Sequence, residues 1–201
     1  MSSNQLPLER FLELEEKFAD RTYLHQPLEG KWVEYSWKQV GLEARILANA
    51  IQAMNLPPRS CIALMSKNCA HWLITDLAIW MSGHISVPLY PTLTTESINQ
   101  ILEHSEAKLF FVGKMDDWSK QKDGIIEDIP KVCFPFWKNE GCQNWDDFTQ
   151  GMPPLKEVAN LKADDISTII YTSGTTGMPK GVVHTFDSIS FPAREALDEL
   201  G

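Results

Sequence analysis

The chain has 201 residues, 43% of them hydrophobic and 10% aromatic, enough for one domain or a large subdomain with its own core, and too apolar for a disordered chain. Lys and Arg number 18 against 27 Asp and Glu, and the resulting net charge of −9 argues against general binding to nucleic acid or to an anionic membrane, which call for a basic surface. Such a balance serves solubility and still leaves room for one local cation to hold a phosphate.

The segment Leu6 to Phe18 mixes acidic and apolar residues at helical spacing, with Leu8, Phe11, Leu12, Leu14 and Phe18 on one broad face. Thr22 to Gln26 and Lys31 to Tyr35 read as two short strands joined across Pro27-Leu28-Glu29-Gly30, a hairpin. Ser36 and Gln39 have the spacing of a capping box and open a helix with Val40, Ala44, Leu47 and Ile51 on one stripe, closed by Pro57-Pro58. An apolar strand, Cys61 to Met65, comes next. The helix after it, from about Cys69 to Met81, is apolar nearly all round and is expected to be deeply buried. Ile85 to Leu89 is a strand ended by Pro91, and Thr94 caps a helix bearing Ile98, Ile101 and Leu102. Leu109 to Val112 is a short buried strand. Strands and helices alternating over short connections predict a parallel sheet covered by helices.

From Lys114 to Ala163 the periodic signal weakens amid acid pairs, prolines and tryptophans, with Val132 to Phe136 as one further strand interrupted by Pro135. Asp164-Asp165 then leads into the strand Ile166 to Tyr171, and a loop rich in Gly and Thr leaves its C-terminal end, the edge where ligands of α/β sheets collect. Asp187 to Leu200 reads as a helix. The cysteines (Cys61, Cys69, Cys133, Cys142) show no Cys-x-x-Cys and no histidines at metal spacing; Cys61 and Cys133 look like small core residues, and a reducing cytoplasm fits. The first residues show no signal peptide, and the longest apolar region, Trp72 to Met81, is interrupted by Asp76 and too short to span a bilayer.

The loop carries the chemistry. Tyr171-Thr-Ser-Gly-Thr-Thr-Gly-Met-Pro-Lys-Gly-Val182 sets glycines, four hydroxyls (Thr172, Ser173, Thr175, Thr176) and one lysine together. Glycines let successive N–H groups face one concavity, hydroxyls add donors, and Lys180 complements a polyphosphate. The spacing Gly174-x-x-Gly177-x-x-Lys180 is not that of the standard P-loop, and Gly181 stands where its magnesium-binding hydroxyl would be.

This string resembles the signature of the adenylate-forming superfamily: acyl-CoA synthetases, luciferase-type enzymes and peptide-synthetase adenylation domains. The resemblance extends through Ser66-Lys67-Asn68 with Trp72 and Asp76, through Gly83 to Pro91, and through Ile101 to Lys108, the last similar to long-chain fatty-acid members. It implies an α/β fold, the N-terminal part of that family's large domain, incomplete. The leading helix and hairpin would occupy residues 1–35, an α/β subdomain 36–160, and the strand, loop and following helix 161–201. It also implies a reaction in which a carboxylic acid, a fatty acid by this likeness, is activated by ATP with Mg²⁺ and passed to coenzyme A. Thr172, Ser173, Gly174, Thr175, Thr176, Gly177 and Lys180 would wrap the β- and γ-phosphates, with Lys180 in the catalytic role. A fatty-acyl substrate implies peripheral membrane contact, for which no basic amphipathic helix is seen. Many relatives place a histidine where this chain has Phe186, and His184 reads as a plain strand residue. The family's Mg²⁺-binding Glu, ribose-binding Asp and C-terminal Lys motifs do not occur before Gly201, so the chain is expected to be the front piece of a larger enzyme, inactive alone. Two alternatives stay open: a non-catalytic nucleotide-binding module, and another ligase class such as an aryl-CoA ligase or adenylation domain.

Overall fold

The structure is a computed structural model, which describes residues 5–173 and 178–190. It opens with helix α1 (Pro7–Phe18), the Leu6 N–H held by the Glu9 carboxylate at 2.9 Å. Strands β1 (Thr22–Leu28) and β2 (Lys31–Ser36) form a separate antiparallel hairpin. Pro27 and Leu28 belong to the strand, not the turn. Only Glu29 and Gly30 turn, at φ 50° and 77°, the pair of left-handed residues that a tight two-residue hairpin requires.

Helix α2 (Trp37–Ala53) begins at the capping box that the sequence spells out: Gln39 N–H donates to Ser36 Oγ at 3.2 Å, and the Ser36 N–H donates to Gln39 Oε1 at 2.8 Å. Then come β3 (Cys61–Met65), α3 (Ala70–Met81), β4 (Ile85–Leu89), α4 (Thr95–Ser105) and β5 (Leu109–Val112). Thr94 caps α4 through the Ser97 N–H. A short helix α5 (Trp118–Gln121) precedes β6 (Lys131–Cys133), β7 (Gln143–Asn144) and α6 (Trp145–Thr149). The strand at β6 stops short of the expected Phe136, because Pro135 cannot donate to the ladder and Phe136 adopts φ 74°. Two long strands close the described chain, β8 (Ile166–Ser173) and β9 (Pro179–Thr185), and a helix starts at Phe186; the remainder of the predicted 187–200 helix lies outside the described residues after Ser190.

Seven strands form one sheet in the order β7-β6-β5-β3-β4-β8-β9, parallel throughout except for the last pair. Alternation sorts the side chains into two cores. Ile62, Leu64, Leu109 and Phe111 face α1, α2 and α3, while Ala63, Met65, Val87, Phe110 and Val112 face α4. The α3 helix is not buried all round as its composition suggests. Leu73 is 38% exposed, and Trp72 and Trp80 are half-buried, so one stripe of it looks outward. Cys133 is buried as expected, whereas Cys61 is half-buried at the start of β3. From α6 the chain returns across the helical layer as an irregular strap. Asn49 donates to the Pro153 carbonyl, Leu155 N–H to Arg45 O, and Ala159 N–H to Met81 O.

Glu15 of α1 and Arg45 of α2 form a bidentate pair at 2.7 Å and 2.7 Å, both largely shielded from solvent. Gly41 makes room for it, since a Cβ there would sit 2.0 Å from Glu15 Oε1. Arg45→Met should cost about 3 kcal/mol by leaving a shielded carboxylate unpaired. Adding Glu15→Gln should restore most of the loss, which urea unfolding midpoints of the three proteins will show. Asp76 on α3 is half-buried as a whole residue, but its carboxyl is desolvated, which pushes its pKa up to about 6. A folded-state pKa above the unfolded value gives stability that is present below about 3.8 and lost as the pH rises through about 6. Asp76→Asn, neutral at every pH, should therefore gain stability relative to the parent as pH is raised over that window in pH-dependent melts.

Candidate functional site

The sheet delivers β8 to the outside of β4 through a single paired position, Ser86 opposite Thr168. Thr168 Oγ1 reinforces it by donating to the Ser86 carbonyl at 3.0 Å. Two residues further along β4 stands Pro88, which has no N–H to offer, and no residue of β4 beyond Ser86 is paired with β8. A cavity of about 270 Å³ opens at this point, lined by Ser66 and Asn68 after β3, Trp72 of α3, Pro88 to Pro91, and Ile170 of β8. Every lining segment but α3 is the C-terminal end of a parallel strand or the turn after it, the edge predicted to hold a ligand.

On that edge β8 and β9 pair in register, with Ile170 opposite Val182, Tyr171 opposite Gly181, Thr172 opposite Lys180 and Ser173 opposite Pro179. Cross-strand partners project to the same face. Ile169 and Tyr171 pack into the α4-side core, so Ile170 and Thr172, one residue out of step, face the α3 side, and Lys180 faces it with them. Thr172 and Lys180 are exposed, and among the described residues Lys180 has no ion-pair partner. The structure thus brings two of the predicted residues, Thr172 and Lys180, together at the mouth of the loop. Ser173 is the last strand residue before it. Gly174, Thr175, Thr176 and Gly177 lie outside the described residues.

Behind the loop is a contact that the sequence does not advertise. Tyr171 Oη and His104 Nδ1 of α4 are 2.7 Å apart, and the rings meet edge to face with centroids 5.7 Å apart. Burial pushes the Tyr171 phenol up from its ordinary pKa, which keeps the hydroxyl protonated and able to donate. Gly181 serves this ring: a Cβ on it would lie 3.1 Å from Tyr171 Cζ and 3.0 Å from Ile169 Cγ2. The absence of a Cβ at Gly181 thus lets the tyrosine ring lie close across the hairpin without the neighbouring side chains having to give way. On the other side Trp80 Nε1 donates to the Ser167 carbonyl at 3.1 Å and its ring stands edge-on to buried Phe186. Where the resemblance looks for a histidine, Phe186 is thus a core residue. His184 sits on β9 opposite Thr168, a strand position as expected.

Ser66 fastens the ends of β3 and β5: its Oγ donates to the Lys67 carbonyl at 2.7 Å and accepts the Lys114 N–H at 2.9 Å. Gly113 permits the approach, since a Cβ there would fall 2.5 Å from Ser66 Oγ and 2.3 Å from Phe134 Cδ2. Lys67 is ion-paired with Asp116, so its charge is engaged. Among the described residues no group of three or more His, Cys, Asp or Glu could hold a metal ion.

A mostly parallel α/β sheet that ends in an antiparallel hairpin belongs to the class of proteins that take ligands at the carboxyl edge of their strands. Residues 11–199 match the family described as AMP-binding enzyme, and the chain belongs to that family. It is 26% identical to the long-chain-fatty-acid–CoA ligase ACSBG2 of Xenopus laevis over 199 residues, which is 92% of this chain and 27% of that protein. It is 30% identical to long chain acyl-CoA synthetase 2 of Arabidopsis thaliana over 206 residues, 92% of this chain and 30% of that one. The chain thus spans between a quarter and a third of the length of these relatives. The fold is similar to that of the anthranilate CoA ligase AuaEII solved with anthranoyl-AMP, at a TM-score of 0.83 and 23% identity, covering 96% of this chain and 37% of that one.

The Tyr171–His104 contact predicts a measurable coupling. In a double-mutant cycle with Tyr171→Phe and His104→Ala, the interaction term read from unfolding free energies should be about 1 kcal/mol.

Proposed function

We propose that this chain supplies the pyrophosphate-holding part of an ATP-dependent acyl-CoA synthetase whose substrate is a long-chain fatty acid. The observation that carries the reading is the register of β8 and β9, which sets Thr172 directly opposite Lys180 at the carboxyl edge of a sheet in a chain of this family. The names of the similar curated proteins support the fatty-acid substrate.

In the first step a carboxylate oxygen attacks the α-phosphorus of ATP, and the bond to the β-phosphate oxygen breaks. Acyl-adenylate forms and pyrophosphate leaves. Charge builds on the departing oxygen, and a fixed cation with short hydroxyl donors lowers the barrier by meeting it there. Lys180 supplies the cation and Thr172 a donor; Ser173, Gly174, Thr175, Thr176 and Gly177 complete the cradle in this reading. In the second step the coenzyme A thiolate attacks the acyl carbonyl carbon and AMP leaves. Mg²⁺ would offset phosphate charge, but the described residues offer no ligand cluster for it. The apolar cavity beside the hairpin, walled by Trp72, Leu89, Tyr90 and Ile170, gives the edge an apolar neighbour suited to part of an acyl substrate. No helix among the described residues is long and apolar enough to cross a membrane, and contact with a bilayer would be peripheral, at the point of fatty-acid uptake.

The test, on a protein in which this chain is joined to the rest of the domain that its relatives carry, is exchange of labelled pyrophosphate into ATP, dependent on added carboxylate. Long-chain fatty acids should support exchange better than benzoate or anthranilate; the reverse order overturns the substrate reading. Lys180→Met should lower the rate by ~100-fold or more, the loss typical of removing one transition-state charge donor. The isolated 201 residues should show no exchange, and any detectable rate would refute their dependence on further parts of the site.

A further inference from the structure

Two thiols meet at the opposite end of the sheet from the hairpin. Cys133 ends β6, and Cys142 immediately precedes β7, the parallel neighbour of β6. Residues 134–141 loop between them through two left-handed positions, Phe136 at φ 74° and Gly141 at φ 82°. The Asn139 main chain draws the two cysteines together. Its carbonyl accepts from Cys133 Sγ at 3.3 Å and from the Cys142 N–H at 3.3 Å, while its own N–H donates to Cys133 Sγ at 3.3 Å. Both side chains pack on the α4 side of the sheet. Cys133 is 3% exposed, and Cys142, at the edge of the sheet, is half-buried. Neither takes part in the loop site.

We propose that Cys133 and Cys142 are a dithiol that exchanges with low-molecular-weight disulfides such as oxidised glutathione and closes into an intramolecular disulfide. The neighbouring Cys142 thiol, with the Asn139 N–H, holds the Cys133 thiol below its ordinary range, while the Cys133 sulfur and burial push that of Cys142 up, so the pair gives up its first proton more readily than an isolated buried thiol. With one proton left between them, either sulfur can present the anion. Cys142, the more accessible, attacks a sulfur of the reagent; the reagent's S–S bond breaks and one thiolate leaves. The Cys133 thiolate then attacks the Cys142 sulfur of the mixed disulfide and expels the second thiolate. The two cysteine protons go to the two released thiols, the protein is oxidised by two electrons, and the small disulfide is reduced. Cys61 and Cys69 have no thiol beside them, and burial pushes both of their thiols up, so they are poor competitors.

Trypsin cuts after Lys138, between the two cysteines, so closure appears as two peptides that travel together and separate on reduction. After the purified native protein is treated with oxidised glutathione, mass spectrometry should find the Cys133 and Cys142 peptides linked. The link should form several-fold faster than any adduct on Cys61 or Cys69, and faster as the pH is raised. In Cys133→Ser the mixed disulfide on Cys142 should persist instead of resolving. The same treatment in urea should give scrambled links, which distinguishes the folded pair from chance pairing even if the serine variants misfold. Adducts spread evenly over the four cysteines of native protein, or no linked peptides, would overturn the proposal.

Discussion

Everything at the candidate site depends on one constraint, the antiparallel return of β9 along β8. A glycine-rich loop free at either end would lose to chain entropy most of what it gained by meeting an anion. Here the loop springs from two strands paired through seven positions, from Ile166 opposite Thr185 to Ser173 opposite Pro179. Both ends are therefore fixed before any ligand arrives, and Lys180 is held by main-chain hydrogen bonds on the strand where Thr172 needs it. A helix after the loop, as in the standard P-loop, would present main-chain N–H groups along an axis. A strand instead sets side chains in opposed pairs, which is why a lysine three residues beyond the last loop glycine can serve.

The hairpin is itself tied down on both faces. On the α4 side the Tyr171 ring lies across Gly181 and reaches His104. On the α3 side Trp80 reaches the Ser167 carbonyl. At its base Arg59 donates to the Ile166 carbonyl at 2.6 Å. These ties matter because β8 pairs with β4 at only one position, beside the cavity that Pro88 and Ile170 help to line.

Most of the sheet was legible in the sequence because its signals are local. The capping box at Ser36 and Gln39, the Thr94 cap and the apolar runs at Cys61, Ile85 and Leu109 each specify an element within a few residues, and the structure has each of them within one or two positions. The hairpin turn was drawn too wide, since proline at 27 suggested a turn where an edge strand tolerates it. What stayed hidden was non-local. The strap over residues 150–163 has no period because it follows helices already in place and makes its bonds to Arg45 and Met81. The Glu15–Arg45 and Tyr171–His104 groupings join elements whose meeting only the topology determines. At the loop, the opposition of Thr172 to Lys180 depends on the pairing of β9 with β8, which no local signal in the sequence specifies.

The strand order also bears on how the molecule is made. Strands β3 to β7 and their helices come from residues 61–144 and pair with close sequence neighbours, so they can assemble while later residues are still emerging from the ribosome. The β8–β9 unit must reach back to Ser86, Trp80 and Arg59, contacts separated by 82, 87 and 107 residues. Long-range closure of that kind is slow and comes late. The β8–β9 edge is therefore the last part of this sheet to be completed, and chaperones would meet the nascent chain with its outer β4 margin still bare.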